Sequence, residues 1–197
     1  MKSGPFFDSM SRRDQQKLRT AARILATAVT LVAEAGQEAV TIRAVAARAG
    51  VTERTVFRHF RSKQGLFKAV SQVTSFRMQP SPPPRTPAEL VERPRSEFRI
   101  LEQERDLVRA YLNSQSLAKG PRRRVDKERT EAMIQCVQRN LEYMDRRKLR
   151  RRAAIADLLA SPYALEWMCQ FWGFSGKQAG EAAAEAIDIL INFGLSY

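Results

Sequence analysis

The segment from Thr41 to Lys63, TIRAVAARAGVTERTVFRHFRSK, constrains the fold more than any other part of the chain. Two short runs of helical periodicity flank the tight turn Ala49-Gly50-Val51. Thr41 can cap the first run through its hydroxyl, and Ile42, Val45, Ala46 and Ala49 then recur at the spacing of one inward face. Gly50 can take the positive φ that ends a helix sharply, and Val51 is placed to plug the space between the two helices. Thr52 caps the second run, Glu53 lies in its first turn, and Val56 and Phe60, four residues apart, supply its inward face. Glu53, Arg54, Thr55, Phe57, Arg58 and His59 are left on the outward face and its edges, where a core helix would be blander. Two short helices around a glycine turn, the second rich in hydrogen-bonding chemistry, form the layout of a helix-turn-helix that reads DNA.

Those residue types suit a major groove. Arg54 or Arg58 can donate a bidentate pair to guanine, Glu53 can accept from cytosine N4, and the Phe57 ring can press on a thymine methyl or the sugar-phosphate wall. Thr55, His59 and Lys63 are better placed for phosphates, which set register rather than sequence. Ser62, just before Lys63, is a helix cap, so the Lys63 ammonium and the amides of the next helix start can converge on one phosphate. With the helix-opening residues Thr41, Arg43 and Thr52, these form the candidate DNA-contacting set.

The chain resembles the tetracycline-repressor (TetR) family of bacterial transcription regulators. The resemblance runs without a gap from about Arg23 to Val70, through Ile24-Leu25, Ala28, Leu31-Val32, Glu34, Gly36, Thr41-Ile42, Val45-Ala46, Ala49-Gly50-Val51, Thr55-Val56-Phe57, His59-Phe60, Ser62-Lys63 and Leu66-Phe67. Phe57 stands where the family most often has tyrosine, so the phenol-to-phosphate hydrogen bond usual there is missing. The resemblance weakens between about 80 and 155 and returns at SPYALEWMCQFWGFSGKQAGEAAAEAIDILI, which is similar to the family's two closing helices. It implies an all-α fold: a three-helix amino-terminal head and a larger helical body for ligand binding and dimerisation. The implied function is that of a homodimeric regulator, by default a repressor, released from its operator by a small molecule. The alternative is an architectural DNA-binding protein without an effector.

Composition agrees independently. The 34 Lys plus Arg against 21 Asp plus Glu give a net charge of +13, which calls for a polyanionic partner. Residues 1–76 hold 13 basic and 5 acidic side chains, net +8, leaving +5 for the longer remainder. The positive field is therefore denser around the reading helix. Cys136 and Cys169, without CxxC or Cys/His spacing, indicate a reduced cytoplasmic chain and no metal, and packing is their simplest role. His59 is the single histidine and has no evident nucleophile or carboxylate partner. No phosphate loop, nucleophile elbow or metal motif points to an enzyme or a cofactor. No segment reaches the roughly 18 unbroken apolar residues of a membrane span.

The expected organisation is a flexible basic tail (1–11), the helix-turn-helix domain (12–61), a connecting helix (62–79), a Pro-rich linker (80–87) and a helical effector-binding and dimerisation domain (88–197). Arg12 and Arg13 form either a DNA-contacting arm or part of a disordered tail. The first helix should follow the stripe Leu18, Ala21, Leu25, Ala28, Val32, Ala35 and end at Gly36; the connecting helix should present Leu66, Phe67, Val70, Val73 and Phe76. Pro94 should kink or delay the next helix, giving helices near 95–103, 104–118, 125–147, 149–160, 162–172 and 176–193. Arg122-Arg123-Arg124 and the cluster Arg146, Arg147, Lys148, Arg150, Arg151, Arg152 read as solvated charge.

Two further sets belong to the body. Phe98, Leu101, Val108, Tyr111, Leu112, Met133, Val137, Met144 and Trp167 can line a cavity, with Asn140 on the same helical line. Such a pocket favours an apolar ligand with one or two polar atoms. Leu165, Met168, Cys169 and Trp172 on one closing helix, and Ala179, Ala183, Ala186, Leu190 and Phe193 on the other, form the candidate dimer stripe. Trp167, Phe171 and Trp172 are alternatively core or dimer contacts.

Overall fold

The computed structural model describes residues 11–78, 81–116 and 126–193. The stretch 1–10, Pro80, Gly120-Pro121 and Arg122-Arg123-Arg124 lie outside the described residues. The described chain is all-helical, with ten helices that fall into two compact units.

The first unit comprises residues 1–79 and 109–117. Its opening helix, α1 (Arg12–Ala35), starts on Ser11, whose hydroxyl accepts from Asp14 N, and stops at Gly36, which has φ 76°. The buried face is Ile24, Ala28, Val29, Val32 and Ala33. Of the expected stripe only Ala28 and Val32 are fully buried, while Leu18 is exposed, because the face centres on Ile24. Next come α2 (Ile42–Arg48), capped by Thr41, and α3 (Glu53–Phe60), capped by Thr52. Ile42, Val45, Ala46 and Ala49 are buried as their spacing predicts, Val56 is fully buried, and Val51 and Phe60 are half-buried. Gly50 adopts φ 62° between the two helices. A two-toothed ion pair joins Arg48 to Glu34, with Nη1–Oε2 at 2.5 Å and Nη2–Oε1 at 2.8 Å, tying α2 to α1.

Helix α4 (Lys63–Arg77) starts where Ser62 Oγ accepts from Gly65 N at 2.9 Å. It buries Leu66, Phe67, Val70 and Thr74, but Phe76 is exposed. Residues 109–117, which a linear reading assigns to the body, cluster with this first unit. There the Asn113 side-chain amide donates to Val32 O at 3.0 Å, beside the end of α1.

The second unit comprises residues 80–108 and 118–197. Its first helix is not delayed by Pro94 as the sequence suggested: α5 spans Pro87–Gln103 and continues through Pro94. A strong start signal fixes it. Thr86 Oγ1 accepts from Glu89 N, Glu89 Oε2 reaches back to Arg85 N, and Pro87 occupies the first turn, where a missing N–H costs nothing. Helix α6 (Arg105–Ser116) follows after Glu104.

The helix expected over 125–147 stops early, and the one expected over 149–160 starts early. Helix α7 (Lys127–Gln138) ends before Asn140, and α8 (Arg146–Leu159) restarts on Asp145, whose carboxylate accepts from Arg147 N and Lys148 N. The last pair, α9 (Pro162–Trp172) and α10 (Gly176–Asn192), matches the expected spans to within a residue. Gly173 closes α9 in the left-handed region, and Ser175 with Gln178 forms a reciprocal cap at the start of α10.

Two cores hold this unit. Leu90, Met133, Ile134, Cys136, Val137, Leu149 and Ile187 centre one; Phe98, Leu165, Cys169, Ala179 and Ala183 form the other. Helices α5 and α10 approach so closely that a Cβ on Gly180 would lie 2.7 Å from Pro94 O, and one on Gly176 would lie 2.6 Å from Phe98 O. Both cysteines are buried. Among the described residues no helix is long and apolar enough to cross a membrane, and no cluster of metal-ligating side chains is present.

Candidate nucleic-acid interface

Helix α3 separates its faces cleanly. Val56 is fully buried, whereas Glu53, Arg54, Phe57 and Arg58 are exposed, the Phe57 ring to 43%. Thr55 and His59 flank this face half-buried, and Thr41, Arg43, Thr52 and Lys63 are exposed at the adjoining helix starts. Thr41 Oγ1 already accepts from Ala44 N at 3.1 Å, and Thr52 Oγ1 from Thr55 N at 3.2 Å. These two threonines therefore position helices first. The Thr52 and Thr55 hydroxyls are 3.0 Å apart, so each restricts the other's rotation. The Lys63 ammonium sits 5.5 Å from the centre of the Phe67 ring, which places its charge at the start of α4.

Beside α3 lies a basic cleft of about 660 Å³ lined by Arg13, Gln16, Lys17 and Thr20 of α1 with Arg58 and His59. The spacing of Arg13, Gln16, Lys17 and Thr20 puts them on one face of α1, a signal that was available in the sequence. Arg13 thus belongs to a helix that adjoins the reading helix, while Arg12 is exposed at its start. His59 Nε2 is buried and has no hydrogen-bond partner. Burial of the ring, and then the cations Arg58 and Lys17, hold the His59 pKa below its ordinary 6.5. Its neutral form is therefore favoured in the unliganded cleft. Just beyond α3, Arg61 has φ 63°, a conformation that side chains other than glycine rarely adopt.

The side chains expected to share a body pocket separate instead. Phe98 and Leu101 pack in the core around Leu165, whereas Met133, Val137 and Met144 pack in the core around Leu149. Val108 is buried in the second unit, while buried Tyr111 and half-buried Leu112 belong to the first. Trp167 is exposed, with its ring centroid 4.3 Å from that of Phe171. Asn140 does not face an apolar interior: α7 ends before it, and its amide donates to Asn192 Oδ1 at 2.6 Å on the surface.

The candidate dimer stripe divides too. Leu165, Cys169, Ala179 and Ala183 are buried in their own unit, because Gly176 and Gly180 let α10 close on α5. Met168, Ala186 and Leu190 are half-buried, and Trp172 and Phe193 are exposed to 70% and 64%. The basic cluster of α8 is not wholly solvated. Arg146 pairs with Glu131, and Arg152 is only 8% exposed. The signal for Arg152 was its position: Leu149, Arg152, Ala153 and Ala156 fall at i, i+3, i+4 and i+7.

Comparison with known proteins agrees with this geometry. Residues 24–70 match the family model described as bacterial regulatory proteins, tetR family. The uncharacterized HTH-type transcriptional regulator YvkB of Bacillus subtilis (strain 168) is 44% identical over 48 residues, which are 24% of this chain. The match spans only 25% of that relative's length. A solved structure concerned with the control of antibiotic production by bacterial hormones is 21% identical, with a TM-score of 0.53 over 87% of this chain and 97% of its own. NalD, described as the secondary repressor of the MexAB-OprM multidrug efflux pump in Pseudomonas aeruginosa, is 17% identical, with a TM-score of 0.51 over 93% of this chain and 100% of its own. The amino-terminal helices thus match the tetR family model over residues 24–70, and the all-helical fold is similar to those of the two solved structures.

Proposed function

We propose that this chain is a sequence-specific, cytoplasmic transcription regulator that binds an operator in double-stranded DNA with α3 in the major groove. The observation that carries the reading is the exposure of Glu53, Arg54, Phe57 and Arg58 on a helix anchored by fully buried Val56. Arg54 and Arg58 read base edges; Thr55, His59, Lys63 and the cations of the adjoining cleft hold phosphates. Repression relieved by a small molecule is the regulatory mode we assign, in keeping with NalD, which is itself named a repressor.

The regulator acts as a homodimer. The surface proposed for the second copy is the group of exposed aromatic side chains on α9, Trp167, Phe171 and Trp172. Two-fold symmetry would then set the reading helices about 34 to 36 Å apart on a near-palindrome.

Selecting bound sequences from random DNA tests the reading. Arg54→Ala or Arg58→Ala should lose about 1 to 3 kcal/mol at the selected site and relax preference at one base pair. Lys63→Ala should weaken all sequences alike and flatten the salt dependence by about one unit. Absence of any preferred sequence would leave an architectural protein as the answer. Sedimentation of Trp167→Arg tests the dimer surface, since an unchanged dimer overturns it.

A further inference from the structure

A groove of about 440 Å³ lies between α8 and α10, within the size range of small-molecule sites. Its floor is apolar: Met144, Ile155, Ala186, Ile189, Leu190 and Phe193. Its remaining lining residues are all cations, Lys148, Arg151 and Arg152, with no acidic side chain among them.

Arg152 is the informative one. It is 8% exposed, and no carboxylate pairs with it among the described residues. Its Nη1 donates to Leu190 O and, at 2.8 Å, to Phe193 O, the free carbonyls at the end of α10. Those carbonyl dipoles offset part of the charge. A guanidinium has five N–H donors, however, and Nε and Nη2 carry no partner among the described residues. Arg151 likewise has no ion pair among the described residues, and Lys148 reaches only Asp145, at 3.8 Å. The remaining donors of Arg152 and the exposed charges of Lys148 and Arg151 are therefore open to an anion in the groove.

We propose that this groove binds an amphipathic carboxylate, with its head on Arg152 and Arg151 and its apolar body along Ile155, Ala186 and Ile189. A planar carboxylate fits the two free nitrogens of Arg152 as a fork fits a fork. The competing occupant is a second copy of the chain, because Ala186, Leu190 and Phe193 also stand in the dimer stripe expected from the sequence. An apolar helix face from a second copy would cover the floor but leave those donors unanswered; a carboxylate on an apolar body satisfies both. A carboxylate on an apolar body differs by its charge from the ligand expected from the sequence, an apolar one with one or two polar atoms.

The test uses the full-length chain without DNA, so that its failure leaves the operator reading untouched. Binding of decanoate, decan-1-ol and decyltrimethylammonium is measured by titration calorimetry below micelle formation. Decanoate should bind at least tenfold more tightly than the alcohol, and the ammonium should not bind. Ala186→Trp, which fills the groove and keeps the cations, should weaken decanoate at least tenfold with an unchanged circular dichroism spectrum. Arg152→Gln removes contacts that hold the end of α10, so Arg151→Glu serves as the charge test and should erase the preference for decanoate over the alcohol. Equal binding of acid and alcohol, or an Ala186→Trp variant that binds decanoate normally, overturns the proposal. It is overturned as well if decanoate does not bind; should Ala186→Trp then dissociate a dimer, the occupant is a second copy.

Discussion

Among the described residues, each unit has a helix joint so tight that only glycine fits, and the two joints are built differently. In the first, a Cβ on Gly65 would lie 2.1 Å from Phe60 O, so the start of α4 rests on the end of α3. In the second, Gly180 meets Pro94 O, pressing α10 against α5. The first joint is made by residues five apart in sequence, the second by residues 86 apart. A joint between sequence neighbours fixes local geometry, here the angle between the reading helix and α4. A joint between distant segments fixes the packing of a whole unit and leaves little trace in either segment alone.

The contrast predicts which substitution does more harm. Gly65→Ala forces a methyl into a backbone oxygen and should cost about 3 kcal/mol or more, lowering the thermal midpoint and operator affinity together. Gly180→Ala meets its neighbour at 2.7 Å and should cost about 2 kcal/mol, with the loss confined to stability. If thermal melts rank the two in reverse, the local joint is the softer one and the comparison fails.

A proton sharpens the comparison within the head alone. Because the folded His59 pKa lies below 6.5, the unfolded chain binds more protons between the two values. His59's contribution to stability should therefore be complete above about pH 6.5 and be lost as pH falls through the folded pKa. Operator binding should respond in the opposite sense: a phosphate entering the cleft favours the charged ring, so affinity should rise on acidification. His59→Gln should flatten both profiles, which urea melts and DNA titrations across pH 5 to 8 would report. The smallest effect belongs to Arg61. Replacing it by glycine relieves its positive φ and should raise stability by about 0.5 kcal/mol, net of the added freedom of the unfolded chain.

The head was legible because its signals are local. Thr41, Thr52 and Ser62 each cap a helix from the adjoining residue, and Gly50 sits at the turn its sequence position announces. The phase of α1 was less so, since alanines and leucines on several of its faces gave two competing stripes, of which the one through Ile24 is buried. In the body, Thr86-Pro87-Ala88-Glu89 carried a start signal that five nearby prolines obscured. Asp145 capped a helix inside what reads as one continuous run, and that break turned Asn140 outward. The alanine stripe on α10 suits its own body or a second copy equally well on sequence alone. Gly176 and Gly180 decide for its own body, but only once Pro94 and Phe98 are known to face them.

The hydrogen bond from Asn113 to Val32 O makes the amino-terminal unit a discontinuous domain. All four of its leading helices are synthesised before residue 80, yet the strand of chain that closes over the end of α1 arrives 34 residues after Gln79. At roughly 5 to 20 residues per second, the nascent head waits about 2 to 7 s for its last segment. A fragment ending at Gln79 would hold that waiting state indefinitely, retaining the reading helix on a scaffold whose first helix is left open at one end.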